Sequence, residues 1–158
     1  MLNNAKNGVI ELDGTDMDYI SFGNGSKYLI MIPGLGDGLK TVKGMALPFS
    51  VMYKCFTEEY TVFSFSRKNK LEEGHSTKDM AVDIAKAMEL LGIPKADVIG
   101  VSQGGMISQY LAIDFPEKVN KLVLTVTISK PNDTVKSVVG SWIEMAKSGD
   151  HKGIYADM

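Results

Sequence analysis

The residues best placed to do chemistry lie in Asp97-Val98-Ile99-Gly100-Val101-Ser102-Gln103-Gly104-Gly105-Met106. An apolar run ends in Gly-x-Ser-x-Gly, and a helical pattern begins at once behind it. This spacing puts Ser102 on a sharp strand-to-helix turn with its hydroxyl clear of the sheet, where it can attack a carbonyl carbon. Gly100 and Gly104 lack Cβ atoms, so the turn can be tight and its neighbours close. The backbone N–H of Gln103 is then placed to hold the oxyanion that such an attack creates. The competing role for Ser102 is a helix N-cap, its oxygen accepting a backbone N–H.

Acyl transfer needs a second oxyanion donor, and losing one donor typically costs about 10²–10³ in rate. Pro33-Gly34-Leu35-Gly36-Asp37-Gly38 follows an earlier apolar run, and its Leu35 N–H, between two glycines, can supply that donor. A glycine-rich turn with no catalytic task is the plain alternative. Gly34 to Thr41 also nearly matches a phosphate-cradling loop, but Leu39 stands where that pattern requires glycine, and Asp37 would repel phosphate. The Gly34-x-Gly36-x-Gly38 spacing likewise departs from the dinucleotide fingerprint.

The elements that must position these residues follow from the pattern. Gly8–Leu12 and Asp18–Phe22 read as strands around an Asp13-Gly14 turn. Tyr28–Ile32 is a continuous apolar run, as in a strand buried on both faces. A helix is predicted over Ala46–Phe56, a strand over Tyr60–Phe65, and a polar loop over Arg67–His75. Ser76 or Thr77 caps a helix over Lys78–Leu91, ended by Gly92 and Pro94. Val98–Val101 is the strand before Ser102, and Gly104–Phe115 the helix behind it, stopped by Pro116. Val119–Ile128 reads as a further buried strand, with a helix over Thr134–Lys147. From Tyr28 onward strands and helices alternate. That predicts an α/β fold with a mostly parallel sheet and helices on both faces. Ligands in such sheets sit beyond the carboxyl ends of the strands, where the loops at Pro33–Gly38, Arg67–His75 and Ser102–Gly105 fall.

Bulk composition narrows the classes. A length of 158 residues predicts one domain over 1–158 with a sizeable core. A net charge of −2 gives no electrostatic case for nucleic acid or anionic membrane. The lone Cys55 excludes an internal disulfide and a multi-cysteine metal site, and fits a reducing, cytoplasmic setting. The start, Met1–Gly8, has no long apolar segment of the signal-peptide kind, and no apolar run approaches the ~18 residues of a membrane span. No His, Asp or Glu cluster has metal-ligand spacing, so neither metal nor cofactor is expected. The ten methionines read as adaptable core filling.

From Ile10 onward the chain resembles the α/β-hydrolase fold superfamily of esterases, lipases, C–C hydrolases and peptidases. Tyr28–Gly36 resembles that family's third strand and oxyanion loop, and Tyr60–Thr77 its fourth strand and following loop. Ala96–Gly105 resembles its fifth strand and nucleophile elbow, and Phe115–Val119 with Leu122-Val123-Leu124 the lead into its sixth strand. The resemblance implies Ser102 as nucleophile, Leu35 and Gln103 as oxyanion donors, and Gly34, Gly36 and His75 beside the substrate, a small ester or acyl compound. Pro33 replaces the histidine that many members carry there. The family's acid and histidine normally follow its seventh and eighth strands. The resemblance therefore implies a fold cut short after the sixth strand and one helix, inactive by itself.

The two histidines sharpen that expectation. A serine needs a base within about 2.6–3.2 Å. His75 precedes Ser102, against the family's chain order, and His151 sits in the polar stretch Ser148–Gly153. Two other classes stay open: a non-catalytic ligand- or partner-binding protein, and a half-enzyme completed by another chain. With no further strand, Val119–Ile128 would be an apolar edge inviting a second copy, a homo-oligomer through sheet pairing or helix exchange. Trp142, Ile143 and Met145 either pack back on the chain's own sheet or supply apolar contacts for the exchanged helix.

Overall fold

The computed structural model describes residues 2–38 and 40–157, without the Leu2 side chain. The near-match to a phosphate loop that fails at Leu39 thus turns on a position outside the described residues. The chain falls into two units, Met1–Thr127 and Ile128–Met158.

The first unit is a six-stranded sheet with helices on both faces. Its strands are β1 (Lys6–Leu12), β2 (Thr15–Phe22), β3 (Lys27–Ile32), β4 (Tyr60–Lys68), β5 (Ala96–Val101) and β6 (Val119–Thr125). Their order is β1-β2-β4-β3-β5-β6. β1 and β2 form an antiparallel hairpin, and β2 pairs antiparallel with β4. The pairs β3–β4, β3–β5 and β5–β6 are parallel. At the hairpin, Asp13 and Gly14 have φ of 53° and 78°, the twist that joins two antiparallel strands through two residues.

The apolar run of β3 is explained by burial on both faces. Ile30 and Ile32 pack with Phe65, Val98 and the helices α2 (Thr77–Leu90) and α3 (Gln103–Asp114), through Ile84, Met88, Ile107 and Leu111. Leu29 points the other way, onto Ile20, Phe22, Val62 and Ala46 of α1 (Ala46–Met52). Ser76 caps α2 through a reciprocal box: its Oγ accepts from the Asp79 N–H (3.2 Å), and Asp79 Oδ2 accepts from the Ser76 N–H (2.8 Å).

Three expectations are corrected. The helix over Ala46–Phe56 breaks at Tyr53 into α1 and a 3₁₀ turn, Lys54–Phe56. β4 runs to Lys68, taking Arg67 and Lys68 out of the loop, because β2 reaches down to pair Met17 with Lys68. The segment Val119–Ile128 is a strand only to Thr125, and its side chains are mostly exposed. As the outermost strand it pairs with β5 alone among the described residues, leaving Val123 and Leu124 exposed.

Val126, just past β6, has φ of 43° and is 84% exposed. A β-branched side chain is costly in that region. Val126→Gly is expected to raise stability, by on the order of 0.5–1 kcal/mol, since strain of about 1–2 kcal/mol is relieved against the added chain entropy of glycine. A urea titration checks this, and a loss of stability would mean the strain lies elsewhere.

The second unit holds α4 (Asp133–Lys147) and α5 (His151–Asp157). Asn132 caps α4 by accepting from the Val135 N–H (2.9 Å). The polar stretch around His151 proves to be the start of a helix: Asp150 accepts from the Gly153 N–H (2.8 Å). Trp142 Nε1 donates to Asp157 Oδ2 (2.5 Å), tying α5 to α4.

Candidate active site

Strand register brings the two loops together. Ile32 of β3 lies opposite Gly100 of β5, so Pro33-Gly34 leaves the sheet beside Val101-Ser102. A Cβ built on Gly34 would lie 3.2 Å from Ser102 Cβ and 3.8 Å from its Oγ. On the other flank Val101 lies opposite Thr125. The Ser102 N–H donates to the Thr125 carbonyl (3.0 Å), and Thr127 Oγ1 donates to the Ser102 carbonyl (2.6 Å). Ser102 is thus bonded from the β6 flank, with Gly34 close on the other.

Ser102 adopts φ 53°, ψ −118° and is exposed. Its side chain makes no cap hydrogen bond to α3, which removes the N-cap reading. A strained, non-glycine turn residue with a hydroxyl not used by its own helix is what a strand-to-helix nucleophile requires. The turn is possible because Gly104 approaches the end of β3: a Cβ there would overlap the Ile32 carbonyl oxygen and lie 2.5 Å from that of Pro33.

Leu35 begins a 3₁₀ turn, Leu35–Gly38, and Gln103 begins α3. Neither backbone N–H has an acceptor among the described residues. Both therefore stand free at the carboxyl end of the sheet, beside Ser102. The Pro33–Gly38 loop is anchored from within. Asp37 is buried, its Oδ1 accepting from Ser66 Oγ (2.9 Å) and its Oδ2 from the Arg67 N–H (2.8 Å). Burial pushes its carboxyl above the ordinary carboxylate value, opposed by those two bonds and by the Arg67 charge. Asp37 is therefore a loop anchor, turned into the protein.

Arg67 is the residue that sequence reasoning missed. Its buried guanidinium donates from Nη2 to the Pro33 carbonyl (2.8 Å) and to Gln103 Oε1 (3.2 Å). Burial draws its pKa below the usual arginine value, with Asp37 opposing. The signal was the alternation Phe63-Ser64-Phe65-Ser66-Arg67, which continues the strand past Phe65.

His75 is placed elsewhere in the bonding pattern. Its Nε2 lies 2.8 Å from Asp83 Oδ2 on α2, and Lys68 Nζ lies 3.0 Å from the other oxygen. It makes no hydrogen bond to Ser102, and neither do the other titratable residues of the first unit. No group of three or more His, Cys, Asp or Glu able to hold a metal occurs among the described residues. No helix among them is long and apolar enough to cross a membrane.

A sheet of this order with a sharp strand-to-helix turn after β5 is that of the α/β-hydrolase fold, and the chain belongs to the alpha/beta hydrolase fold family, whose model matches residues 27–149. Among curated relatives it is 27% identical over 140 residues to "Epoxide hydrolase 1" of Caenorhabditis elegans, covering 88% of this chain and 34% of the worm protein. It is 29% identical over 119 residues to "Putative carbamate hydrolase RutD" of Caulobacter segnis, covering 71% of this chain and 42% of that one. An alpha/beta hydrolase from a Medee basin deep-sea metagenome library superposes with a TM-score of 0.79 at 20% identity, over 96% of this chain and 55% of that chain. The chain thus spans from about a third to just over half of the length of these three proteins.

Proposed function

We propose that this chain carries the nucleophile half of a serine hydrolase site for small ester or acyl compounds. The observation that carries the reading is Ser102 at φ 53°, uncapped, beside two free backbone N–H groups. Ser102 Oγ attacks the carbonyl carbon, and the Leu35 and Gln103 N–H groups hold the negative oxygen. The C–O or C–N bond then breaks and the leaving group departs with a proton. Water cleaves the acyl-serine ester and restores the hydroxyl. Gly34 and Gly36 keep the loop close to the reacting carbon, and His75 lines the loop beyond β4.

The two relatives' names suggest different electrophiles, a carbamate and an epoxide. A serine favours the carbonyl compound on chemical grounds. Serine attack on an epoxide leaves a β-hydroxy ether, which has no carbonyl for water to attack, and the site would be dead after one turnover. An acyl-serine is hydrolysable.

With His75 spent on Asp83 rather than on Ser102, the chain alone should turn over little. The test is exposure to an activated ester. Slow acylation of Ser102 with negligible turnover, lost in Ser102→Ala, is expected. Sustained turnover that survives Ser102→Ala would refute the proposal. Saturable binding of an acyl compound with Ser102 never acylated would favour a non-catalytic binding protein.

A further inference from the structure

We infer that Arg67 is a positioning residue that sets the oxyanion hole, by clamping both of its halves from beneath. The inference rests on the serine-hydrolase reading above and adds to it a residue outside the nucleophile and the two donor amides. One nitrogen, Nη2, bridges the two segments: the Pro33 carbonyl at 2.8 Å and Gln103 Oε1 at 3.2 Å. Pro33 stands two residues before the Leu35 N–H, and Gln103 owns the other N–H. A fixed planar fork of donors joins two acceptors at a set angle better than a flexible ammonium does. The clamp therefore fixes the separation of the two oxyanion donors, on which their joint action depends.

Arg67 is poorly explained as a stabilising residue. It is buried, yet its Nε and Nη1 have no hydrogen-bond partner among the described residues. The space it borders, lined by Ser66, Lys68 and Asp83 as well as Met17, Met80, Ile84 and Ile107, is too narrow for a water molecule. The opposite charge that acts on it, Asp37, spends both oxygens on Ser66 Oγ and the Arg67 backbone rather than on the guanidinium, and Asp83, on the same space, pairs with Lys68 and His75. Buried donors left unmatched cost stability, and replacing such a cation with an apolar side chain is often neutral or stabilising. A residue that burdens the fold while joining the two halves of the site is accounted for by what it holds in place.

The test compares wild type with Arg67→Met, Arg67→Lys and Gln103→Leu, by the rate of fluorophosphonate labelling at Ser102 and by urea denaturation. Arg67→Met should keep or raise the denaturation midpoint while slowing labelling about tenfold or more, a fraction of the ~10²–10³ lost with a whole donor. Arg67→Lys should recover part of the rate through the Pro33 carbonyl. Gln103→Leu should slow labelling in wild type and add little on top of Arg67→Met. Backbone amide resonances of Leu35 and Gln103 should move in Arg67→Met. Folded variants that label at the wild-type rate, or unmoved resonances, would overturn the inference. A rate lost only in step with stability would do so too. If Arg67→Met does not fold, unchanged rates in both Arg67→Lys and Gln103→Leu would have the same force. Failure of wild type to label at Ser102 would instead strike the serine-hydrolase reading itself, and the inference with it.

Discussion

Ser102→Gly is expected to abolish covalent capture of acyl-type probes and, at the same time, to make the protein more stable. The backbone of Ser102 sits at φ 53°, ψ −118°, outside the regions an L-residue prefers. Strain of this kind costs on the order of 1–3 kcal/mol. Glycine reaches the same angles freely, at an added unfolded-state entropy of about 0.5–1 kcal/mol. The hydroxyl caps nothing in α3 and is exposed, so its removal forfeits little. The net gain should be about 1 kcal/mol. Ser102→Ala separates the two effects. It removes the nucleophile but keeps a Cβ and hence the strain, so capture is lost and stability stays near wild type. Urea denaturation of both variants beside their labelling makes the comparison. Equal stability for Ala and Gly would place the strain elsewhere and weaken the elbow as a device built for reactivity.

Gly104→Ala should be the most damaging single methyl in the site. The new Cβ would overlap the Ile32 carbonyl oxygen and press on that of Pro33, both of them backbone. Neither can swing aside as a side-chain tip does. Either the first turn of α3 lifts off the sheet or β3 and its loop retreat. Overpacking costs typically run about 1–3 kcal/mol, and a rigid backbone neighbour puts this case at the upper end or beyond. Function should fall further than stability, because the shift separates the Gln103 N–H from the loop carrying the Leu35 N–H. Gly140→Ala in α4 provides the contrast. Its Cβ would meet nothing within 4 Å, and a helical position gains up to about 1 kcal/mol from alanine. Opposite signs for the two substitutions, read by thermal melting, are the expected result.

Much of this arrangement could be read from the chain. The apolar run Tyr28–Ile32, the Gly92 and Pro94 stop and the Gly100–Gly104 motif each carry a local physical signal, and β3, α2 and the elbow follow from them. What escaped depends on neighbours far away in sequence. The continuation of β4 through Arg67 is imposed by β2, which pairs Met17 with Lys68 across more than fifty residues. A polar residue at a strand end, such as Arg67, looks like loop until the structure buries it under Pro33 and Gln103. The anchoring role of Asp37 escaped for the same reason. In the sequence it read only as a charge that would repel phosphate, and nothing local showed that Ser66 and the Arg67 N–H draw it inward. The exposure of β6 reverses the bias: an apolar sequence such as Leu122-Val123-Leu124 reads as buried, and only sheet order shows it to be outermost.

We propose that Ser102 is poised as a nucleophile by the elbow and the two free N–H groups. Peptide mass spectrometry after fluorophosphonate treatment of the folded chain tests it most directly. A slow but selective adduct at Ser102 is expected, absent from Ser102→Ala and from urea-unfolded protein. No adduct at Ser102 in folded protein, or adducts spread equally over the other serines, would contradict it.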